Sequence, residues 1–242
     1  MRVALISDLH GNELALDAVL ADVQRRGADR LVCLGDVATL GPRPSAVLNR
    51  LRSFGVSVIL GNHDEFLLDP ELIRRYTEAP VIVEAVDWCR SILSSAELES
   101  LRAFHRTLSI DLGAGASLFL FHGSPRSHME DLLATTPAEE VDRLLDGHSA
   151  TVLAGGHTHV QMLRQHRGLL LVNPGSVGLP FKEYVGGKAP TIMAHAEYAI
   201  VEAQRGAVTV SLHRVPLDKA ALRAAAQSLV WPLGPMLAAS YA

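Results

Sequence analysis

The sequence contains only two cysteines among its 242 residues. Cys33 lies in an apolar run and Cys89 in a segment with helical character, so we expect both thiols to be reduced rather than paired in a disulfide. The first eight residues, MRVALISD, already have a strand pattern, with no apolar segment or cleavage site typical of a signal peptide. We therefore expect a cytoplasmic protein.

Positive charge is also scarce. The chain has 22 lysines and arginines against 26 acidic residues, a net charge of −4, and no extended basic run. This argues against a nucleic-acid groove and against binding to an anionic membrane surface. No apolar stretch reaches the length of a membrane span.

What the sequence does contain is a series of short runs rich in valine, leucine and isoleucine. Each run predicts a buried strand: 3–7, 30–34, 56–60, 117–121, 151–154 and 169–173. Between the first two, residues 11–27 place Leu16, Val19, Leu20 and Val23 on one stripe, which predicts a helix. A second helix is predicted over 44–53. The β-α-β-α-β alternation of residues 1–62 indicates an α/β fold.

The rest of the chain is less regular. Residues 64–105 have mostly helical character, and we interpret them either as an insertion over a site or as a structural helical layer. Further predictions are a helix over 137–147, a hairpin over 196–215 and a last helix over 218–230. The apolar tail WPLGPMLAASYA could dock on the body of the protein or on a second copy, as in a homodimer. With no repeat or linker, we expect one domain over 1–242 with a helical insertion at about 64–105.

Polar residues follow the predicted strands with regularity: Asp8 and His10, Asp36, Asn62 with His63 and Asp64, His122, and His157 with His159. If these strands run in the same direction, their ends gather these side chains in one crevice. Imidazole and carboxylate without thiolate suit Mn, Fe or Zn. The ligands exceed what one tetrahedral ion needs, but would serve two ions roughly 3.5–4 Å apart, bridged by a carboxylate.

Five motifs occur in a characteristic order: Asp8-x-His10, Gly35-Asp36, Gly61-Asn62-His63-Asp64, His122-Gly123 and Gly156-His157-x-His159. This order resembles the calcineurin-like metallophosphoesterase superfamily. The segments SDLHGN (7–12) and NPGSVG (173–178) are similar to its small bacterial branch of phosphodiesterases and phosphatases. The resemblance covers residues 3 to about 178. It implies a four-layer α-β-β-α sandwich, with two stacked mixed β-sheets flanked by helices.

The resemblance also implies roles for individual residues. Asp8, His10 and His159 would bind a first metal ion, Asn62, His122 and His157 a second, and Asp36 would bridge both. A hydroxide between the two ions would attack a small phosphodiester, phosphomonoester or nucleotide. His63 would donate a proton or hydrogen bond to the leaving group, so His63 and Asp36 are the implied catalytic residues.

Three further residues are candidates for substrate binding. Asn12 is sufficient as a helix cap, but the helix that it begins would direct its positive end at an anion. Arg126 would match phosphate with its planar guanidinium, although a solvated loop arginine is an equal alternative. His128 follows the predicted ligand His122 closely enough to reach substrate. For Asp64, we favour a cap on a helix beginning near Glu65 over a role in orienting His63.

The sequence departs from related patterns at two places. Eukaryotic-type protein phosphatases carry Asp-Arg-Gly after the bridging aspartate, where this chain has Thr39-Leu40-Gly41. This disfavours a protein phosphatase. The loop after NPGSVG is longer than in relatives and contains Lys182 and Lys188.

The alternative from a different class is a catalytically silent metal-binding scaffold with the same fold. A scaffold need not retain the proton donor or the full ligand set. This chain keeps His63 and all seven implied ligands, which favours an enzyme.

Overall fold

The computed structural model describes residues 1–242, which form ten strands and nine helices. The strands are β1 Arg2–Ile6, β2 Arg30–Cys33, β3 Ser57–Val58, β4 Leu108–Gly113, β5 Ala116–Leu120, β6 Val152–Ala154, β7 Met162–His166, β8 Leu169–Asn173, β9 His195–Gln204 and β10 Ala207–Pro216. The helices are α1 Glu13–Arg26, α2 Pro44–Ser53, α3 Asn62–Leu68, α4 Pro70–Tyr76, α5 Pro80–Ile92, α6 Ser95–Leu101, α7 Ala138–Leu145, α8 Lys219–Gln227 and α9 Gly234–Ser240. None of the helices combines the length and apolar character that a membrane span requires.

The strands form two mixed sheets of five. The first has the order β10-β9-β1-β2-β3, in which β1, β2 and β3 are parallel, β9 pairs antiparallel with β1, and β10 pairs antiparallel with β9. The second has the order β4-β5-β6-β8-β7, in which β5, β6 and β8 are parallel and both edge strands are antiparallel. Each sheet therefore has three parallel strands whose carboxyl ends share one edge.

The two sheets pack face to face, with helices outside them. On β1, Leu5 belongs to the core between the sheets, together with Leu118 and Val152 of the second sheet. Its neighbour Ile6 belongs instead to the core beneath the helices, because successive strand residues face opposite sides. The outer face of the second sheet packs against α7. This confirms the expected α-β-β-α sandwich.

Most predicted elements are confirmed, with three differences. The segment 64–105 is helical as expected, but α3 begins at Asn62, so the helix start near Glu65 was wrong. Strand β7 and helix α9 were not predicted. The sequence of β7, MLRQH, is polar, and α9 follows a proline-rich stretch in which Trp231 and Tyr241 are buried in the helical layer. The apolar tail thus docks on the body of the protein. Both cysteines are free and buried, as expected.

A buried carboxylate ties α1 to the first sheet. Asp22 on α1 accepts a hydrogen bond of 2.6 Å from the Tyr198 hydroxyl on β9 and one of 2.9 Å from Arg26 Nε, and it also pairs with Arg25. Burial alone would raise the pKa of Asp22, but the donors outweigh it and hold the pKa below its ordinary value. Asp22 is therefore ionised and stabilises the docking of the helix.

We predict that Asp22→Asn lowers the free energy of unfolding by about 2 kcal/mol at neutral pH, because its donors lose a charged acceptor. Since the folded-state pKa is depressed, this contribution is complete above the unfolded pKa of about 3.9 and is lost as the pH falls below it. Urea unfolding at pH 7 and pH 3 should therefore show a smaller difference at pH 3. The control is Asp17→Asn, also on α1, which removes an exposed pair with Arg50 of α2 and should cost under about 1 kcal/mol. Equal losses in both variants would contradict this role.

Candidate metal centre

All seven predicted ligands lie just beyond the carboxyl ends of parallel strands. Asp8 and His10 follow β1, Asp36 follows β2, Asn62 follows β3, His122 follows β5, and His157 and His159 follow β6. Backbone hydrogen bonds join these loops within each sheet, for example from Asp8 N to Gly35 O at 2.9 Å and from Gly156 N to His122 O at 2.7 Å. The structure therefore brings all seven residues into one region.

The backbone at this region is in an unusual conformation. Ten non-glycine residues of the chain have positive φ, and five of them are Asp8, His10, Asp36, His157 and His159, with φ between 46° and 69°. This left-handed conformation is uncommon for residues with a side chain, and it concentrates at functional sites where the surrounding structure enforces it. The turns redirect the side chains from the strand ends into a shared cluster.

The first group of candidate ligands is formed by Asp8, His10, Asp36 and His159, which are all buried. His10 Nε2 lies 3.0 Å from His159 Nε2, and His159 Nε2 lies 3.3 Å from Asp8 Oδ1. The opposite ring nitrogens contact the protein: His159 Nδ1 lies 2.7 Å from the Leu179 carbonyl and His10 Nδ1 lies 3.3 Å from Thr39 Oγ1. Both rings are thus oriented by groups outside the cluster.

The second group is formed by Asp36, His122 and His157, joined by Asn62. Asn62 Oδ1 lies 3.0 Å from both His122 Nε2 and His157 Nδ1. His122 Nδ1 lies 2.7 Å from the Leu34 carbonyl, so the ring turns its other nitrogen toward the group. As with His159 in the first group, a backbone carbonyl outside the cluster orients the ring.

Asp36 belongs to both groups. Its Oδ2 lies 3.8 Å from His10 Nε2 and 3.5 Å from His122 Nε2, while its Oδ1 accepts a hydrogen bond of 2.9 Å from His63 N–H. The backbone N–H of Asp36 donates to Asp64 Oδ2 at 2.9 Å, and Asp64 also accepts from the Val37 and Gly61 N–H groups. Asp64 thus caps α3 from within its first turn and joins it to the loop that carries Asp36.

The residues fit divalent cations, because lone pairs of the two rings face other hydrogen-bond acceptors whenever His122 and His159 are neutral. In neutral His122 and His159 the hydrogen on Nδ1 donates to a carbonyl, which leaves a lone pair on Nε2 directed into the cluster. These lone pairs meet Asn62 Oδ1 and Asp8 Oδ1, and Asp8 Oδ1 is buried without a hydrogen-bond donor. Ligands of one ion with bonds of 2.0–2.2 Å lie roughly 3–3.5 Å apart, close to the spacing found here.

The electrostatics of the cluster favour positive charge. Burial opposes charge on His122, but Asp36 and Asp8 outweigh it and raise the pKa of His122 to about 9. Burial and the neighbouring His122 lower the pKa of His157 to about 3, so that its ring is neutral. The carboxylates that hold a proton on His122 would equally attract a metal ion, whose binding would release that proton.

His63 lies beside the cluster and outside both groups. Its ring is 5.1 Å from that of His10 and packs edge-on against Phe66, and its buried Nδ1 has no hydrogen-bond partner. His63 lines a cavity of about 210 Å³ together with the candidate ligands His10, Asp36, Asn62, His157 and His159. It is thus placed to meet a molecule bound there.

The three predicted substrate-binding residues do not line this cavity. Asn12 caps α1 by accepting from Ala15 N–H at 3.1 Å and donates its amide to the Gly178 carbonyl at 3.0 Å. Arg126 is paired with Glu130 at 2.6 Å, and His128 contacts Glu65 at 2.7 Å. Their polar groups are engaged within the protein, and Arg126 and His128 line a separate small pocket behind His122.

Other side chains form the rim of the cavity. They are Tyr76 of α4, Asp131 of the loop after β5, and Phe181 and Tyr184 of the long loop after β8. Lys182 and Lys188 of that loop are exposed and are not part of the lining. None of the four lining residues belongs to a motif or directly follows a strand, so the sequence carried no signal for them beyond the unusual length of the loop.

The family model of the calcineurin-like phosphoesterase superfamily domain matches residues 1–205. The chain belongs to this superfamily. The match extends beyond residue 178, where the motifs end, and includes the β9 strand of the first sheet.

Individual relatives agree with this membership. The chain is 29% identical over 193 residues to the phosphodiesterase YfcE of Escherichia coli, a match that covers 74% of this chain and 81% of that protein. A crystal structure of a metallophosphoesterase from Sphaerobacter thermophilus is similar, with 26% identity, a TM-score of 0.75 and coverage of 99% and 100% of the two chains. The structure of the protein PH1004 from Pyrococcus horikoshii has the same fold, with a TM-score of 0.79, 21% identity and coverage of 98% and 97%. The superfamily and its phosphodiesterase member support a hydrolase that acts on phosphoesters.

We predict that Asp36→Asn removes most bound metal, because the shared carboxylate contributes negative charge to both groups. Elemental analysis after dialysis against a manganese buffer should find close to two ions per wild-type chain and far fewer in the variant. Asp111→Asn, an exposed substitution on β4, is the control and should match wild type. Two retained ions in Asp36→Asn would refute the bridging role.

Proposed function

We propose that this protein is a metal-dependent phosphodiesterase that hydrolyses a small phosphodiester or nucleotide. In this proposal one divalent ion is bound by Asp8, His10 and His159, a second by Asn62, His122 and His157, and Asp36 binds both. The observation that carries it is the pair of acceptor groups that share Asp36 Oδ2 at the floor of the cavity. Acceptors at this spacing repel one another unless a cation lies between them.

The donor set limits the metal and its chemistry. Imidazole nitrogens, carboxylate oxygens and one amide oxygen, without thiolate, suit Mn, Fe or Zn. When bound, two such ions supply Lewis acidity toward phosphate oxygens and lower the pKa of water to produce a nucleophile near neutral pH. The protein fixes the ligand positions through the carbonyls of Leu34 and Leu179, which hold the rings of His122 and His159.

His63 is the proposed proton donor. Its side chain borders the cavity, and its backbone N–H is bonded to Asp36 Oδ1, so the same residue orients the shared carboxylate and faces the substrate. Phe66 packs against the ring and fixes its plane. A hydrogen bond or proton from His63 would stabilise charge on the leaving oxygen, which contributes roughly 10²–10⁴-fold to such reactions.

The lining of the cavity favours a diester over a monoester. No lysine or arginine lines it, and Asp131 adds a negative charge at the rim. A phosphomonoester carries close to two negative charges at neutral pH, whereas a phosphodiester carries one, so the diester meets less repulsion. The aromatic rim of Tyr76, Phe181 and Tyr184 suits a planar group such as a nucleobase. The phosphodiesterase relative supports the same preference.

We predict that the manganese-loaded protein hydrolyses bis-p-nitrophenyl phosphate with a kcat/KM about tenfold or more above that for p-nitrophenyl phosphate, a difference of about 1.4 kcal/mol in transition-state stabilisation. Release of p-nitrophenolate measures both reactions. Chelation should abolish hydrolysis, and added Mn²⁺ should restore it. A higher kcat/KM for the monoester would reverse the assignment of substrate class.

We further predict that His63→Ala binds both ions but loses about 10²–10⁴-fold in kcat, because only the proton donor is removed. The loss should be smaller for a diester with a good leaving group, which needs little protonation. His148→Ala is the control, since His148 lies before the amino end of β6, whereas the candidate ligands lie beyond the carboxyl ends of the strands. Wild-type kcat in His63→Ala would exclude the role.

A further inference from the structure

In each of the four histidines of the two groups, one ring nitrogen faces the cluster and the other faces a group that orients the ring. For His122 and His159 this group is a backbone carbonyl, and for His10 it is the hydroxyl of Thr39. His157 differs. Its Nδ1 faces Asn62 Oδ1 at 3.0 Å, and its Nε2 lies 3.4 Å from Asp131 Oδ1.

We propose that Asp131 is a positioning residue for His157 and that Tyr184 holds Asp131 in place, which couples the loop 181–192 to the second metal group. The inference rests on the proposed function, because it assigns His157 as a metal ligand. A carboxylate at the outer nitrogen of a ligand imidazole fixes the tautomer with the hydrogen outside, so that Nδ1 carries the lone pair toward the ion. The carboxylate also makes the ring a stronger electron-pair donor to the ion.

Tyr184 completes the contact from the other side. Its hydroxyl donates to Asp131 Oδ2, while Asp131 Oδ1 faces His157, so each carboxylate oxygen has one partner. The Asp131 side chain is 41% exposed, and without Tyr184 such a loop carboxylate would sample several rotamers. Burial and the contact with Asp131 raise the pKa of Tyr184, which keeps the hydroxyl protonated as a donor.

The loop that carries Tyr184 is attached to the metal centre at its base as well. Phe181 N–H donates to the His159 carbonyl at 3.1 Å, and the Phe181 ring stacks on that of His159 with centroids 4.3 Å apart. Lys182 N–H donates to the Thr191 carbonyl at 2.9 Å, which closes the loop. The loop therefore contacts the first group directly through His159 and the second group through Asp131.

The test is a calorimetric titration of the metal-free protein with Mn²⁺, without substrate. Wild type should show two binding steps. Asp131→Ala should weaken one step about 10–100-fold and leave the other unchanged, as expected for the loss of an orienting partner of a single ligand. Tyr184→Phe should weaken the same step by less, and Asp131→Glu should recover part of the affinity.

The matched control is Asp142→Ala. It removes a comparable carboxylate, which contacts His166 at 2.8 Å outside the site, and it should titrate like wild type. Electron paramagnetic resonance gives a second readout. At two Mn²⁺ per chain, wild type should show a spin-coupled pair, whereas Asp131→Ala should show mainly single-ion signal. At saturating Mn²⁺ the Asp131→Ala variant should regain most of the wild-type kcat.

The outcomes separate this inference from the proposed function. Two binding steps in wild type and the same two affinities in Asp131→Ala would overturn the positioning role alone. Fewer than two steps in wild type would overturn the two-ion function itself. Equal weakening of both steps in Asp131→Ala would also overturn the inference, because it would indicate a general structural effect. Thermal unfolding of the metal-free variants identifies such an effect independently.

Discussion

The centre of this protein depends on one constraint: electron-pair donors, which are also hydrogen-bond acceptors, are held against one another in a buried place. Asp36 places a single oxygen within 4 Å of ring nitrogens from both groups, and Asp8 presents a buried oxygen that no donor satisfies. Such an arrangement costs free energy unless positive charge enters it. The fold maintains it through rigid partners outside the cluster. Positive charge, from a metal ion or from the proton that the raised pKa of His122 indicates, relieves the repulsion.

The two sheets make this arrangement feasible because their parallel strands end at a common edge. Loops from both sheets must then approach closely, and glycine permits it. At Gly61 a Cβ atom would lie 2.1 Å from Asp36 Oδ1, and at Gly156 it would lie 1.9 Å from Ser7 Oγ. Asp64 adds a further constraint, since its carboxylate binds the backbone on both sides of the gap between β2 and α3. The positions of the ligands are therefore set by backbone contacts more than by the ligands themselves.

The rim of the cavity has a different origin from its floor. The floor comes from the strand ends, whereas the rim comes from α4, from the loop with Asp131 and from the loop 181–192. The floor carries the candidate metal ligands, and the rim supplies aromatic surface and one negative charge. In the proposed function the rim would set substrate preference, and its loop 181–192 also contacts the candidate ligand His159. Rim and floor meet where Asp131 contacts His157 and where Phe181 contacts His159.

The sequence by itself determined the strands that carry the motifs, the α/β class and the set of polar residues at the strand ends. These follow from local patterns: apolar runs, turn residues and motif spacing are properties of neighbours along the chain. Only the tertiary structure decided what Arg126, His128 and Asn12 contact, because their partners Glu130, Glu65 and Gly178 are chosen by packing among many polar candidates. It likewise decided that Asp131 and Tyr184 reach the cavity. Side chains on irregular loops have no periodicity that reveals their direction, so their place is fixed only when distant segments fold against one another.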